Sequence, residues 1–195
     1  RHIRDEDIYA LKKAIDLPLN FEMAATDEMV KIACDLRPNA SCIVPEKRDE
    51  LTTEGGLAVR AQQERLAVQV SKLKAKGIKV SLFVDADKDD LLAASTIGAD
   101  IVELHTGRFC DLPAGSARQH EYERIVSAAR FANDFGLEVH AGHGLSFETA
   151  GQISQIPEIV ELNIGHFLIG VAIFTGLKDA IAQMRQIMNK SRAVL

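Results

Sequence analysis

Gly142-His143-Gly144 is the stretch of this chain best suited to chemistry. Imidazole titrates near neutral pH. Glycine permits positive φ and lets bare backbone N–H groups come close to a ligand. The flanking glycines mark His143 as a loop histidine, an exposed acid or base beside backbone donors. Glu138-Val139-His140-Ala141 leads into it as a strand, and His140 reads as an interior histidine. A similar arrangement returns in Glu161-Leu162-Asn163-Ile164-Gly165-His166. Helix N-termini bind phosphate through unpaired N–H groups and the helix dipole. Gly144, Gly165 and His166 are therefore the candidate phosphate cup. A tight turn that needs glycine is the competing reading.

Two acids lie inside apolar strands. Glu22, in Asn20-Phe21-Glu22-Met23, is either a proton-transfer group whose pKa burial raises or a buried glutamate paired with a lysine or arginine. Glu103 shares a strand face with Ile101 and His105, because successive side chains alternate. It reaches the site, or it makes a structural contact for which His105 is simply the partner. Thr52-Thr53-Glu54-Gly55-Gly56 offers hydroxyls and backbone donors for a second anion, although helix capping explains the same residues. Asp85-Ala86-Asp87 lacks further ligands at matching spacing, so no metal is expected and Asp87 reads as a helix cap. Cys34, Cys42 and Cys110 fit no zinc pattern.

The elements that position these groups alternate. A helix starts at Asp5-Glu6-Asp7 and buries Ile8, Leu11 and Ile15. A strand covers Leu17 to Met23, and Thr26 caps a helix that ends near Arg37-Pro38. Ser41 to Val44 is a strand, followed by a polar loop to Gly56. A long helix buries Val59, Leu66, Val70 and Leu73 and stops at Gly77. Lys79 to Val84 is a strand, and a helix runs from Lys88 to Gly98. Asp100 to His105 is a strand, Thr106-Gly107 turns, and Ala117 to Phe135 is helical. Leu137 to Ala141, a helix over Phe147 to Ile156, Ile159 to Ile164, an apolar helical segment and a helix from Leu177 to Lys190 complete the chain.

Short strands separated by helices pair in parallel. No Gly-x-Gly-x-x-Gly follows the first strand, which weighs against a doubly wound dinucleotide fold. Polar residues at the C-terminal ends of several strands favour a (β/α)₈ TIM barrel. Six of its eight units are visible, in a single domain spanning the chain. The expectation is that the first two units are missing ahead of Arg1.

The 195 residues, 47% hydrophobic and 26% charged, have the balance of a globular domain. A net charge of −5 argues against a general nucleic-acid binder. The apolar run Phe167 to Phe174 is too short to span a membrane. Cysteine usage and the lack of a signal-peptide pattern make the cytoplasm the expected compartment.

Several ordered blocks carry a family resemblance. They are Asn20-Phe21-Glu22-Met23-Ala24, Val44-Pro45-Glu46-Lys47-Arg48, Thr52-Thr53-Glu54-Gly55-Gly56, Val80 to Asp87, Glu103-Leu104-His105-Thr106-Gly107, Ala141 to Leu145 and Glu161 to His166. Through them the chain resembles the pyridoxine 5′-phosphate synthases of vitamin B6 biosynthesis. The resemblance implies a TIM barrel assembled as a homo-octamer, without metal or redox cofactor. It implies condensation of 1-deoxy-D-xylulose 5-phosphate with 3-amino-2-oxopropyl phosphate to pyridoxine 5′-phosphate, inorganic phosphate and water. On it, Glu22 matches a proton-transfer residue, His143 the proton donor and Glu103 a transition-state stabiliser. His2 and Thr52 match positions that bind deoxyxylulose phosphate. His143, Gly144, Gly165 and His166 match the site for the amino-ketone phosphate and product.

The family's Asn-x-Asp-His motif, a further catalytic histidine and two substrate-binding arginines have no counterpart here. A chain that began at Arg1 is expected to leave two strand edges unpaired and to be inactive or to aggregate. The alternatives are another phosphate-binding barrel enzyme, and a non-catalytic fragment that only binds phosphate esters.

Overall fold

A computed structural model describes residues 3–45 and 55–193. Helix α1 (Asp5–Ala14) leads into strand β1 (Asn20–Ala24), α2 (Asp27–Leu36) and β2 (Ala40–Val44). A 3₁₀ turn (Arg60–Gln62) and α3 (Gln63–Lys74) precede β3 (Lys79–Val84), α4 (Lys88–Thr96) and β4 (Ile101–His105). Then come α5 (Gly107–Asp111), α6 (Ser116–Asp134), β5 (Glu138–Gly142), α7 (Ala150–Ser154), β6 (Ile159–Asn163), α8 (His166–Thr175) and α9 (Leu177–Arg192). The strands form one six-stranded parallel sheet in chain order. Sequential parallel order with a helical crossover between neighbours is the winding of a TIM barrel, as expected. Among the described residues β1 and β6 are the edges.

Alternation sorts the strand residues into two faces. Phe21, Met23, Ile43, Val80, Leu82, Val84, Val102, Leu104, Val139, Ala141 and Ile159 point to the helices and form one apolar core with them. The other face carries Glu22, Cys42, Phe83, Glu103, His105 and His140, and the register aligns them from strand to strand. Cys42, Val44 and Phe83 make a small separate apolar cluster there. All six strands direct their C-terminal ends to one rim, the face at which a barrel holds its chemistry.

Local capping follows the sequence. Thr26 Oγ1 accepts the Met29 N–H at 3.2 Å, and Asp87 Oδ1 accepts those of Asp89 and Asp90 at 2.9 and 3.1 Å. Three elements differ from expectation. β1 begins at Asn20, since pairing with β2 starts at Asn20 and Ala40, and Leu17 is exposed. Pro18, which has no N–H to donate, lies before it. Thr106-Gly107 does not merely turn but opens the short helix α5. α7 is limited to Ala150–Ser154. Ser146 N–H donates to Thr149 Oγ1 at 2.8 Å, and Glu148 N–H to Ser146 Oγ at 3.2 Å. These side-chain bonds satisfy the backbone where a longer helix was expected. No helix among the described residues is long and apolar enough to cross a membrane.

Candidate active site

Glu103 is the centre of the inner face. It is only 6% exposed, and Asn163 Nδ2 donates to its Oε2 at 2.7 Å. The Cys42 thiol lies 3.6 Å from the same oxygen. Its other oxygen occupies the space above Gly142, where a Cβ would fall 2.2 Å from Oε1. Burial pushes the Glu103 carboxyl up to about 7; the Glu22 charge adds to the rise, and the Asn163 and Cys42 hydrogen bonds oppose it. A carboxyl poised near neutral pH can both exchange a proton and donate a hydrogen bond to developing negative charge. Burial also raises the Cys42 thiol well above its ordinary value, so it stays neutral here, a core residue as expected.

That elevated value links Glu103 to stability. The native fold binds this proton more tightly than the unfolded chain does. Its contribution is therefore complete below about 4.5 and is lost as pH rises through about 7. The loss is worth ~3 kcal/mol as an upper bound. Glu103→Gln is expected to match the parent in urea unfolding near pH 5 and to exceed it near pH 8, with reduced turnover. Equal stability offsets at both pH values would show that Glu103 is not buried as a carboxylate.

His143 follows the last residue of β5 and has φ +75°, a left-handed backbone rare outside glycine. Thr106 holds it there. The Thr106 N–H donates to Gly142 O at 2.8 Å. Thr106 Oγ1 lies 2.8 Å from Gly142 O and 2.6 Å from His143 O, and its single proton serves one of them at a time. Gly144 continues at φ +77°, with a virtual Cβ 3.1 Å from Cys110 Cβ. The His143 ring stands 5.0 Å from that of His105 and 6.4 Å from Phe83, centroid to centroid.

His105 does not partner Glu103. Its Nδ1 lies 3.1 Å from Asp85 Oδ1 at the end of β3. His140 is an interior histidine, 4% exposed, as expected. Its Nε2 sits 2.8 Å from Glu138 Oε1, and its Nδ1 3.4 Å from Glu161 Oε1.

Glu22 corrects one expectation. It lies on the inner face, but on β1, an edge strand among the described residues, and with these residues it is exposed rather than buried. It still acts electrostatically on Glu103. Gly165 caps α8 without a side chain, and Gly165 and His166 are both exposed at the rim. Phe147 and Phe167 pack edge to face at 4.8 Å, tying the loop after His143 to the first turn of α8. The two glycine-rich strand ends thus adjoin, as the sequence suggested. Among the described residues nothing lies within 4 Å of a Cβ built at Gly165, and its φ is −106°, so neither their packing nor a left-handed turn demands glycine there.

His2 and Thr52, with Glu46 and Thr53, lie outside the described residues. Gly56 is described, and its N–H is used by Asp85 Oδ2 at 3.2 Å. No group of three or more His, Cys, Asp or Glu among the described residues could hold a metal ion. A groove of about 860 Å³ lined by Arg60, Glu64, Thr96 and Ile97 belongs to the helical layer, not to the inner face where these polar groups meet. Sequence reading passed over Asn163 as a partner of Glu103, and Asp85 as a partner of His105. Asp85 and His105 sit at the ends of the neighbouring strands β3 and β4, whereas Glu103 of β4 reaches Asn163 of β6 across β5 at Gly142, and only the order of the strands in the sheet reveals either pair.

Comparison with known proteins agrees with this architecture. A xylose isomerase domain protein from Planctomyces limnophilus superposes with a TM-score of 0.55 at 14% identity, over 87% of this chain and 71% of that one. FabK (M276A) from Thermotoga maritima gives 0.53 at 14% identity, over 82% and 48%. At such identities the likeness concerns the fold alone. The chain is 58% identical to the pyridoxine 5′-phosphate synthase of Xanthobacter autotrophicus, covering 100% of this chain and 77% of the relative. It is 53% identical to that of Ruegeria pomeroyi, over 99% and 79%, and 50% identical to that of Caulobacter vibrioides, over 100% and 79%. Residues 1–190 match the family described as pyridoxal phosphate biosynthesis protein PdxJ. With that match and these identities over nearly its full length, the chain belongs to the PdxJ family of pyridoxine-biosynthetic enzymes.

Proposed function

We propose that the chain condenses 1-deoxy-D-xylulose 5-phosphate with 3-amino-2-oxopropyl phosphate, giving pyridoxine 5′-phosphate, inorganic phosphate and water. The observation that carries the reading is Glu103, a buried carboxyl poised near neutral pH on the inner face of a chain related to pyridoxine 5′-phosphate synthases. Building an aromatic ring from an amine and two ketones needs imine formation, elimination and ring closure. Each step moves a proton, so the site needs several acids and bases at fixed places.

His143 is the proton donor in this reading. It stands at the rim on a strained, side-chain-held backbone. Such strain persists only where the surrounding structure over-determines it, often at functional sites. Glu22, on the inner face and open to solvent, transfers protons to and from the substrate. Glu103 stabilises charge that develops in the transition state. Gly144, Gly165 and His166 hold the phosphate of the amino ketone and of the product. Support comes from the space that the described residues leave above Gly165 and from the start of α8, which none of their side chains caps. His2 and Thr52 bind the deoxyxylulose phosphate. No cofactor enters the scheme. The enzyme works in the cytoplasm as a homo-octamer; the exposed Ile173 and Phe174 of α8 supply apolar surface for burial.

Mixing the two phosphates with the enzyme and following pyridoxine 5′-phosphate by absorbance tests the assignment. Steady formation of product and one inorganic phosphate per turnover is expected. Binding of both phosphates without any product would overturn it.

A further inference from the structure

Asp85 and His105 form a pair without a part in the chemistry described so far. Asp85 is clamped from two sides. Its Oδ1 faces His105 Nδ1 at 3.1 Å, and its Oδ2 accepts the Gly56 N–H at 3.2 Å. The His105 hydrogen bond, followed by that of Gly56 and the charge of Arg124, holds the Asp85 carboxyl below its usual range against the effect of burial. A permanent carboxylate acceptor keeps the proton of His105 on Nδ1.

The other ring nitrogen, His105 Nε2, is buried and has no hydrogen-bond partner among the described residues. It points to where Gly107 packs. A Cβ on Gly107 would fall 2.7 Å from His105 Nε2 and 2.9 Å from His143 Cδ2. Phe83 stands edge-on to His105 at 5.2 Å. A phenyl ring, a bare glycine and a carboxylate-bound imidazole therefore line one side of the His143 ring.

We infer that His105, oriented by Asp85, is the positioning residue of His143: it walls the ring of the proton donor and places the Asp85 carboxylate one imidazole away. This rests on the donor role given to His143 above. The charge has a definite sign of effect, since a nearby carboxylate favours imidazolium over imidazole. His143 then keeps its donor proton to higher pH. Among the described residues, further titratable groups stand around the pair. Arg124 of α6 bonds Ala86 O at 2.9 Å and opposes Asp85 from behind. The Cys110 thiol of α5 lies 3.9 Å from His143 O, and burial raises it, so it adds no charge. Glu103 shares the inner face of β4 with His105.

Histidine-ring NMR titration of the full chain, alongside the pyridoxine phosphate assay, tests this. In the parent protein His105 is expected as the Nδ1-protonated tautomer, and the Nε2-protonated form would overturn the inference without any variant. Asp85→Asn is expected to lower the His143 midpoint and to move the alkaline limb of kcat to lower pH. It should cut kcat on the order of tenfold, the scale on which supporting partners act, with KM little changed. Asp85→Glu, which restores the charge, should bring the limb back. A folded Asp85→Asn protein with an unmoved midpoint and an unmoved limb overturns the inference. Product formation by the parent reports on the reaction itself, so the two readings fail separately.

Discussion

His143→Asn is expected to lower turnover by roughly 10²–10⁴-fold, the usual worth of a positioned proton donor, with little loss of stability. The choice of asparagine follows from the backbone. His143 sits at φ +75°. Asparagine tolerates the left-handed region better than most residues, whereas alanine or a β-branched residue adds strain. The Thr106 bonds reach backbone carbonyls, not the imidazole, and they survive the substitution. Thermal unfolding close to that of the parent, with product formation nearly lost, is the expected pair of results. Turnover within about tenfold of the parent would remove His143 from the donor role, since a general acid is worth more than that.

Gly142→Ala is expected to damage fold and chemistry together. Gly142 ends β5 with no positive φ, so its backbone accepts alanine. The obstacle is the neighbouring strands. A Cβ there would meet Glu103 Oε1 at 2.2 Å, Asn163 O at 3.0 Å and Asn163 Cβ at 3.2 Å. Glu103 cannot simply swing away, because Asn163 and Cys42 hold its other oxygen. Overpacking of this kind costs about 1–3 kcal/mol, and the carboxyl that moves is the one poised near neutral pH. Urea unfolding should show the stability loss, and kcat per folded molecule should fall as well. The double substitution Gly142→Ala with Glu103→Ala should recover part of the stability, since the clash then has no partner. Single and double variants of equal stability would mean that Glu103 does not occupy this space.

Glycine serves two different purposes in this one tripeptide. On sequence alone both glycines around His143 read as sources of backbone freedom. Gly144 fits that reading, with φ +77°. Gly142 does not: its missing side chain makes room for a carboxylate from the next strand. The residue between them, the histidine itself, is left-handed as well, a conformation uncommon outside glycine that histidine adopts more readily than most.

The sequence by itself determined the order of the strands and of the helices between them, apart from the short α5, together with the parallel winding and the family. Apolar alternation and breakers are local signals, and ordered blocks of residues need no coordinates to be matched. Capping was legible at Thr26 and Asp87, because an N-cap acts within three residues of itself. Tertiary structure decided who meets whom across strands. It paired Glu103 with Asn163 and His105 with Asp85, contacts 60 and 20 residues apart in the chain. Among the described residues it also left Glu22 exposed on the end strand while burying Glu103 on the same face. Burial is a property of neighbours, and a glutamate in an apolar strand looks the same in sequence whether or not another strand covers it.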